Sequence, residues 1–347
     1  MKNVLTLALS LGLLAPTVYA APVAPKKKVT PAKKPAVPAK PAIKGANQMN
    51  GEEAKIGTTY TLGKTPPLNF TLTSAQFSVE RVNIADYTHA PSADEKLLVL
   101  NFSVHNPNKE ELNHNWSTVQ FTVVDAQNVN REYVNQVGDP LNRQNLGIDL
   151  KPAQKANGYT VIKVPAKGPI PKLIVEYKDG SDKGVLRYDL RNQVKALTAP
   201  FADPSDASGV TALKVVSGEM GKFYPSGQWD IKLDKIEYAS GPLGEWEAEE
   251  GKRFLVVHVT FKNASSSDLT YNFSTLVPEL TASDGEKVDW NQGMLKTTRN
   301  EGANGELKPG AEYTARFLFQ IPADLTGKTL TLSEPEARVY SFDLAAK

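Results

Sequence analysis

Residues 96–106 read KLLVLNFSVHN, and residues 253–263 read RFLVVHVTFKN. The two stretches align without a gap, and 157 residues separate Asn106 from Asn263. Every second residue is apolar in both stretches: Leu98, Leu100, Phe102 and Val104 in one, Leu255, Val257, Val259 and Phe261 in the other. A period of two predicts a β-strand with one face in a core and the other towards solvent. We therefore predict a central strand in each stretch, with His105 and His258 on its solvent face.

The match between the two halves continues well beyond these strands. At the same offset, residues 115–118 (NWST) align with residues 272–275 (NFST), and the sequence LKP occurs at both 150–152 and 307–309. Near the edges the offset changes to 161 and then to 154 residues, as insertions in loops would cause. A register kept over this length indicates a duplicated domain.

The duplicated domain has the sequence pattern of an all-β fold. Short alternating segments are separated by turn signals such as Asp179-Gly180 and Asp284-Gly285. In the first copy, we predict strands at Leu68–Leu72, Phe77–Val82, Val119–Val124, Leu173–Tyr177 and Val185–Leu190, beside the central strand and a late strand with Thr160, Ile162 and Val164 facing inwards. Roughly seven to nine short strands in one domain are typical of an antiparallel β-sandwich of immunoglobulin type.

The domain organisation follows from the repeat. We predict two tandem immunoglobulin-like antiparallel β-sandwich domains, the first over residues 55–197 and the second over residues 210–347. A Pro/Ser/Asp-rich linker over residues 198–209 joins them, and it is too short to let the domains move fully independently.

The N-terminal residues predict export. Lys2, an apolar run at 4–14 and Val18-Tyr19-Ala20 form the pattern of a signal peptide over residues 1–20. Residues 21–54 are rich in Lys, Pro and Ala, so we predict a disordered tether. Its lysines, Lys26, Lys27 and Lys28 among them, are candidates for contact with an anionic envelope surface, although a run of charges is most often a solvated spacer.

Composition narrows the compartment and the partners. The chain has no Cys, which excludes disulfides and thiolate sites and suits a bacterial envelope protein that is periplasmic, at the cell surface or secreted. The net charge is +2, but the eight lysines of residues 1–44 leave −6 on residues 45–347. An acidic folded part argues against nucleic-acid binding. No apolar run after the signal is long enough to span a membrane.

A family resemblance rests on the order of these motifs. A strand ending in residues 97–108 (LLVLNFSVHNPN) or 254–265 (FLVVHVTFKNAS) is followed by NWSTVQFTVVDAQN or NFSTLVPELTASDG, then by the LKP turn. This order resembles a bacterial exported family, domain of unknown function 4352, in two tandem copies. The resemblance implies an immunoglobulin-like sandwich and brings no catalytic residues. The first copy departs from it at Gln127-Asn128 and Pro152-Ala153, where the second has Asp284-Gly285 and Pro309-Gly310.

The sequence offers few groups for chemistry. Its four histidines, His89, His105, His114 and His258, lack the clustered spacing of a metal site, and we interpret them as surface or turn residues. No G-x-S-x-G elbow accompanies the serines. We therefore expect no enzyme activity, no catalytic residue, no metal site and no cofactor.

Three features are candidates for interactions. The second copy alone has Trp229, Trp246 and Trp290, which are candidates for a partner surface there; burial in the core is the default interpretation of a Trp in a sandwich. Glu247 belongs to an acidic loop, Glu245 to Glu250, which could hold Ca²⁺ but reads more simply as a solvated loop. Asn115 and Asn272 each begin an N-x-S sequence, either as glycan acceptors or as turn-forming residues followed by an aromatic plug for the core.

Together these observations predict a non-enzymatic, exported cell-envelope module that contacts an unknown protein or an envelope polymer. The alternative is a periplasmic protein that binds a ligand or a metal through loops of the second domain.

Overall fold

The computed structural model describes residues 52–179 and 184–345. Every regular element in these residues is a β-strand, which confirms the all-β fold. No helix of the described residues is long and apolar enough to cross a membrane. The predicted signal peptide, nearly all of the predicted tether and the predicted Asp179-Gly180 turn lie outside or at the edge of the described residues.

The strands of the first repeat are short except for three of eleven residues. They are β1 (Glu52–Ala54), β2 (Thr59–Leu62), β3 (Leu68–Ser78), β4 (Val82–Ile84), β5 (Tyr87–His89), β6 (Glu95–His105), β7 (Leu112–His114), β8 (Val119–Val124), β9 (Asn130–Glu132), β10 (Ile148–Leu150), β11 (Lys155–Pro165), β12 (Lys172–Tyr177) and β13 (Val185–Asp189).

The second repeat follows the same plan. Its strands are β14 (Val215–Gly218), β15 (Tyr224–Ser226), β16 (Trp229–Ala239), β17 (Lys252–Asn263), β18 (Leu269–Tyr271), β19 (Val277–Ala282), β20 (Lys287–Val288), β21 (Trp290–Lys296), β22 (Gly305–Leu307), β23 (Glu312–Pro322), β24 (Gly327–Ser333) and β25 (Val339–Asp343).

Each repeat is a sandwich of two main sheets. The first combines the sheet β1-β13-β12-β8-β9 with the sheet β11-β6-β3-β2, and the second combines β14-β25-β24-β19-β20 with β15-β16-β17-β23-β21. The pairing is antiparallel except where the first strand of each repeat, β1 or β14, runs parallel to the last. The predicted central strands are β6 and β17, and each lies in the interior of its sheet.

The structure repeats the registers as well as the strands. Leu100 pairs with Thr160 across β6 and β11, and the positions 157 residues later, Val257 and Phe317, pair across β17 and β23. A bulge interrupts β3 between Leu72 and Ser74, and one interrupts β16 at the corresponding positions, 161 residues later. Shared bulges and registers are the marks of a duplicated fold, because a one-residue slip would turn every side chain to the other face.

The bulge in β3 explains one wrong prediction. The sequence predicted a break between strands at 68–72 and 77–82, whereas β3 runs without interruption to Ser78. The bulge absorbs the extra residue and keeps the strand paired with β6, so a change in alternation there does not end the strand. The predicted disordered segment also extended to residue 54, but Glu52–Ala54 form β1.

Two apolar cores correspond to the two sandwiches. Leu98, Leu100, Phe102 and Val104 lie in the first core, and their counterparts on β17 lie in the second, as the alternation predicted. Trp229, Ile231 and the rings of Phe261 and Tyr271 complete one end of the second core. Burial of these side chains supplies the stabilisation that disulfides supply in many small secreted domains.

The two sandwiches belong to one compact unit. Phe201, in the segment predicted as a linker, packs against both cores. Arg81 of the first sandwich donates to the carbonyls of Gly227 (2.8 Å) and Trp229 (2.7 Å) and pairs with Asp230 at 2.7 Å. From the other side, Arg338 donates to the carbonyls of Leu213 and Glu95.

Lys96 anchors the connecting segment from inside the first sandwich. Its ammonium is fully buried and donates to the carbonyls of Ala166, Gly168 and Val210, with the ring of Phe77 4.3 Å from Nζ. Burial lowers the pKa of Lys96 to about 8. Because the carbonyls come from both the first sandwich and the segment that leads to β14, this side chain ties the two together.

Candidate functional site

The outer face of the second sandwich is covered by a loop, residues 240–251. Leu243 and Trp246 of this loop pack against Phe254 and Val256, which point away from the main core. On the same face His258 is 8% exposed and bonds Glu237, with 2.9 Å between Nε2 and Oε1. The prediction that His258 faces solvent is therefore wrong. Alternation marks the side chains that point away from a core, but it cannot show which neighbouring groups cover them.

A tight turn gives the loop its shape. Leu243 and Trp246 exchange backbone hydrogen bonds of 2.8 and 3.2 Å, so Gly244 and Glu245 form a two-residue turn. Gly244 has φ +72°, which such turns require at their first central position. A Cβ at Gly244 would lie 2.5 Å from the carbonyl oxygen of Asn300, so the turn sits directly against the loop of residues 297–304.

Trp246 lies on the backbone of β21. A Cβ on Gly293 would lie 3.2 Å from Cε2 and 3.3 Å from Nε1 of the indole. Only glycine leaves room for so close an approach of the ring to the strand. Gly293 and Gly244 thus fix where the Trp246 loop rests, and both are needed for the space that opens beside it.

The turn at Asn272 supplies a second aromatic ring. The side-chain oxygen of Asn272 accepts hydrogen bonds from the backbone N–H (2.8 Å) and the hydroxyl (2.6 Å) of Ser274. This confirms the predicted turn-forming role of the asparagine. The predicted plug is wrong, because Phe273 is 50% exposed and its counterpart Trp116 is 49% exposed. An Asx turn points the residue after the asparagine outwards, away from the core.

These parts enclose a groove of about 630 Å³, which we call the Trp246 groove. Its walls are the Trp246 loop, the Asn272 turn, β21 and the 297–304 loop. The lining residues are Gly244, Glu245, Trp246, Asn272, Phe273, Gly293, Met294, Leu295, Asn300, Glu301, Gly302, Ala303 and Asn304. Small-molecule sites in proteins typically measure about 300–1,000 Å³, so the groove has the size of a ligand site.

The charges around the groove are largely paired. Glu301 bonds Lys296 at 2.7 Å and Arg299 at 3.4 Å, and the hydrogen bond from Lys296 holds the pKa of its carboxyl below the ordinary value. Behind the groove, the guanidinium of Arg316 donates to the carbonyls of Lys296 and Arg299 and to Oδ1 of Asn300. These bonds hold the 297–304 loop in place. Glu245 is the carboxylate of the groove without an ion-pair partner among the described residues.

The structure separates the predicted interaction residues. Trp246 lines the groove, whereas Trp229 is 3% exposed and packs edge-on against Phe261 in the core, so its prediction as a surface residue is wrong. Trp290 packs against the second core beside Phe317. Glu247 is exposed near the groove without lining it, and Lys26, Lys27 and Lys28 lie outside the described residues.

Sequence reasoning missed Phe273, because it assigned that ring to the core. A signal was available, since the residue after an N-x-S asparagine is held on the convex side of a turn. Its repetition as Trp116 in the other copy marked an exposed aromatic position in both domains.

The histidines are not grouped for metal binding. Within the described residues, no three His, Cys, Asp or Glu side chains lie close enough to hold a metal ion. His114 was predicted at the surface, but it is fully buried beside the ring of Phe102. Burial lowers its pKa to about 4. The ring occupies the position that Tyr271 fills in the second core, so it acts there as an aromatic side chain.

Comparison with known families finds a match to the second sandwich. Residues 224–340 match the family described as Domain of unknown function (DUF4352). The chain therefore carries a DUF4352 domain. The match runs from the first residue of β15 into β25 and includes every residue of the Trp246 groove. Membership of the first repeat in DUF4352 stays a prediction, supported by the registers that the two repeats share.

Three solved structures are similar to part of the chain. An uncharacterised β-sandwich protein of Clostridium difficile 630 is 19% identical and covers 36% of this chain and 91% of its own, with a TM-score of 0.29. The secreted protein MPT63 of Mycobacterium tuberculosis is 17% identical, with coverages of 40% and 98% and a TM-score of 0.29. The yjhA protein of Bacillus subtilis is 17% identical, with coverages of 36% and 97% and a TM-score of 0.25. No curated protein matches the sequence.

Proposed function

We propose that this protein is a non-enzymatic, exported binding module whose DUF4352 domain holds a cell-envelope partner in the Trp246 groove. The observation that carries the proposal is the half-exposed ring of Phe273, held by the Asn272 turn at a groove that Trp246 also lines. Aromatic rings held rigidly at a concave surface are the usual anchors of binding sites. A rigid site of this kind needs no conformational change to receive its partner.

The groups of the groove support binding rather than catalysis. A general acid or base needs a pKa near the operating pH. A carboxyl group usually reaches such a pKa through burial, which raises it. In the groove, Lys296 and Arg299 instead lower the pKa of Glu301, so its carboxylate stays charged and paired. Glu245 lies at an exposed rim, where water competes for it.

Export and contact with the envelope rest on the sequence. The signal pattern of residues 1–20 and the lysines Lys26, Lys27 and Lys28 predict a protein that is carried out of the cytoplasm and touches an anionic envelope surface. In the proposed arrangement the lysines supply sequence-independent attraction to that surface, and the groove supplies recognition. Charge attraction of this kind weakens with salt, whereas an aromatic anchor does not.

The test is retention of the full chain on insoluble wall polymer and on membranes from the cells that produce it, at about 0.5 M salt to screen the lysines. We expect retention on one fraction, with about a tenfold loss on Phe273→Ala, the cost of one buried aromatic contact. Trp116→Ala is the matched control, because it removes the corresponding ring from the first sandwich. Equal retention of the wild type and Phe273→Ala would overturn the proposal.

A further inference from the structure

The apolar surface that the Trp246 groove offers to a ligand consists mainly of aromatic rings. Met294, Leu295 and Ala303 line the groove but are each 4% exposed, so they form a buried floor. Phe273 and Trp246 remain accessible above it. A ligand therefore meets ring faces, which favour flat packing against C–H groups, and not a deep aliphatic pocket.

Polar groups surround these rings. The amide oxygen of Asn272 is occupied by Ser274, but its Nδ2 has no partner among residues 52–179 and 184–345. Asn304 and Glu245 are exposed at the rim. A purely apolar ligand would cover these donors and acceptors without replacing their hydrogen bonds to water, at a cost of about 1–3 kcal/mol for each group. The ligand must carry hydroxyl or amide groups around its edge.

The charges do not favour an ionic ligand. Around the groove, the two carboxylates of Glu245 and Glu301 face the cations of Lys296, Arg299 and Arg316. Glu301 is neutralised by its two partners, and the carbonyls of Lys296 and Arg299 accept hydrogen bonds from Arg316. A cation would find one carboxylate without an ion-pair partner among the described residues, and an anion would find no free donor cluster there.

We propose that the Trp246 groove binds a neutral sugar ring of a glycan. A pyranose has C–H faces that pack on aromatic rings and a periphery of hydroxyls that bond to amides and carboxylates. In this proposal Phe273 supplies the packing surface, Trp246 lines the same groove beside Gly293, and Asn272, Asn304 and Glu245 bond the hydroxyls. This inference rests on the proposed function and names the chemistry of the partner.

The direct test is titration of the full chain with the β-1,4-linked trimer of N-acetylglucosamine, with maltotriose and with spermidine, followed by calorimetry. We expect binding of at least one oligosaccharide, weakened about tenfold by Phe273→Ala and by less than about twofold by Trp116→Ala. Each of the two variants lacks one aromatic ring, so their comparison distinguishes binding in the groove from nonspecific binding to exposed rings. Binding of spermidine without either oligosaccharide would overturn the inference.

A second measurement separates the sugar inference from the proposed function. The retention assay is repeated with the oligosaccharide that binds in the titration added as a free competitor at a saturating concentration. Loss of Phe273-dependent retention supports the inference. Retention that survives the free oligosaccharide but still depends on Phe273 overturns the sugar ligand and leaves the binding function standing. Retention that never depended on Phe273 contradicts the proposed function itself.

Discussion

His114 makes the stability of the first sandwich depend on pH. Its ring is fully buried, neither ring nitrogen has a partner in the described residues, and burial lowers its pKa from 6.5 to about 4. As the pH falls from 6.5 to about 4, the unfolded chain binds a proton at His114 that the folded protein does not bind. The free energy of unfolding therefore decreases over this window, by about 3 kcal/mol for a shift of this size.

The variant His114→Phe tests this dependence. It keeps a ring beside Phe102 and removes the titrating group, so we expect the loss of stability between pH 6.5 and 4 to be about 3 kcal/mol smaller than in the wild type. Urea unfolding at a series of pH values measures it. The control is Tyr271→Phe at the same position of the second sandwich, which changes no group that titrates below pH 7. An unchanged pH profile in His114→Phe would contradict the assignment.

Asn106 and Asn263 illustrate what a residue in the sequence can and cannot reveal. Asn106 directly follows β6, and Asn263 is the last residue of β17. Both are fully buried, and each donates two hydrogen bonds across to the LKP turn and the following loop. The sequence repeat identified the two asparagines as equivalent, because each copy has Asn at the same position of the aligned segment. Their partners, Leu150 and Leu307, lie 44 residues away, and only the folded chain brings them into contact.

At the scale of elements, the Trp246 loop depends on the absence of a side chain at Gly293. Gly293→Val would place atoms within the space of the indole and lift the loop, at a cost of about 1–3 kcal/mol typical of overpacking. We expect acrylamide to quench Trp fluorescence more strongly in the variant, and we expect the variant to lose its retention on the envelope fraction. Circular dichroism should show that the sandwich is still folded. The background of the other tryptophans is measured in Trp246→Phe.

Gly302→Val is the matched control for this substitution. Gly302 also lines the groove, but a Cβ there would meet no atom within 4 Å. Its added side chain leaves the loop in place, so we expect unchanged quenching. Equal quenching in Gly293→Val and Gly302→Val would show that Trp246 does not rest on β21.

The elements themselves were largely predictable from the sequence. Alternation of apolar and polar residues predicted β6, β17, β8 and β12, because each of these strands has one face in a core. The same method failed on the outer faces, where the Trp246 loop buries Val256 and the hairpin β4–β5 contributes Val82 to a small cluster with Val99 and Val161. Whether a loop covers an outer face depends on turn geometry, such as that at Gly244. It produces no periodic pattern of apolar residues in the sequence.

The groove was predictable only in part. Trp246 and its acidic loop stood out because they have no counterpart in the first copy. Phe273 and the 297–304 loop join them through pairing of β21 with β23 and of β18 with β22, which sets the distance between three loops far apart in the chain. The position of such a site is set by strand pairing, so unusual residue types in the sequence do not locate it.

At the scale of the whole molecule, the two sandwiches are held by contacts that the duplication does not predict. Arg81 makes three bonds to the turn and first residues of β16 and is 10% exposed, so its loss leaves two carbonyls and the Asp230 carboxylate without their donor. Interfaces between domains of one chain are usually polar and permit motion. Here the fork of one guanidinium spans the contact, a geometry that lysine cannot reproduce.

Calorimetry of Arg81→Ala tests whether this contact joins the domains into one cooperative unit. We expect a single unfolding transition in the wild type and two separated transitions in the variant, because each core is complete without the other. Proteolysis within residues 198–209 should accelerate, since Phe201 is held only while both cores flank it. Arg191→Ala is the control: Arg191 pairs with Asp189 at 67% and 52% side-chain exposure, and exposed pairs contribute roughly 0–1 kcal/mol. A single, unshifted transition in Arg81→Ala would mean that Arg338, Lys96 and the connecting segment couple the sandwiches without it.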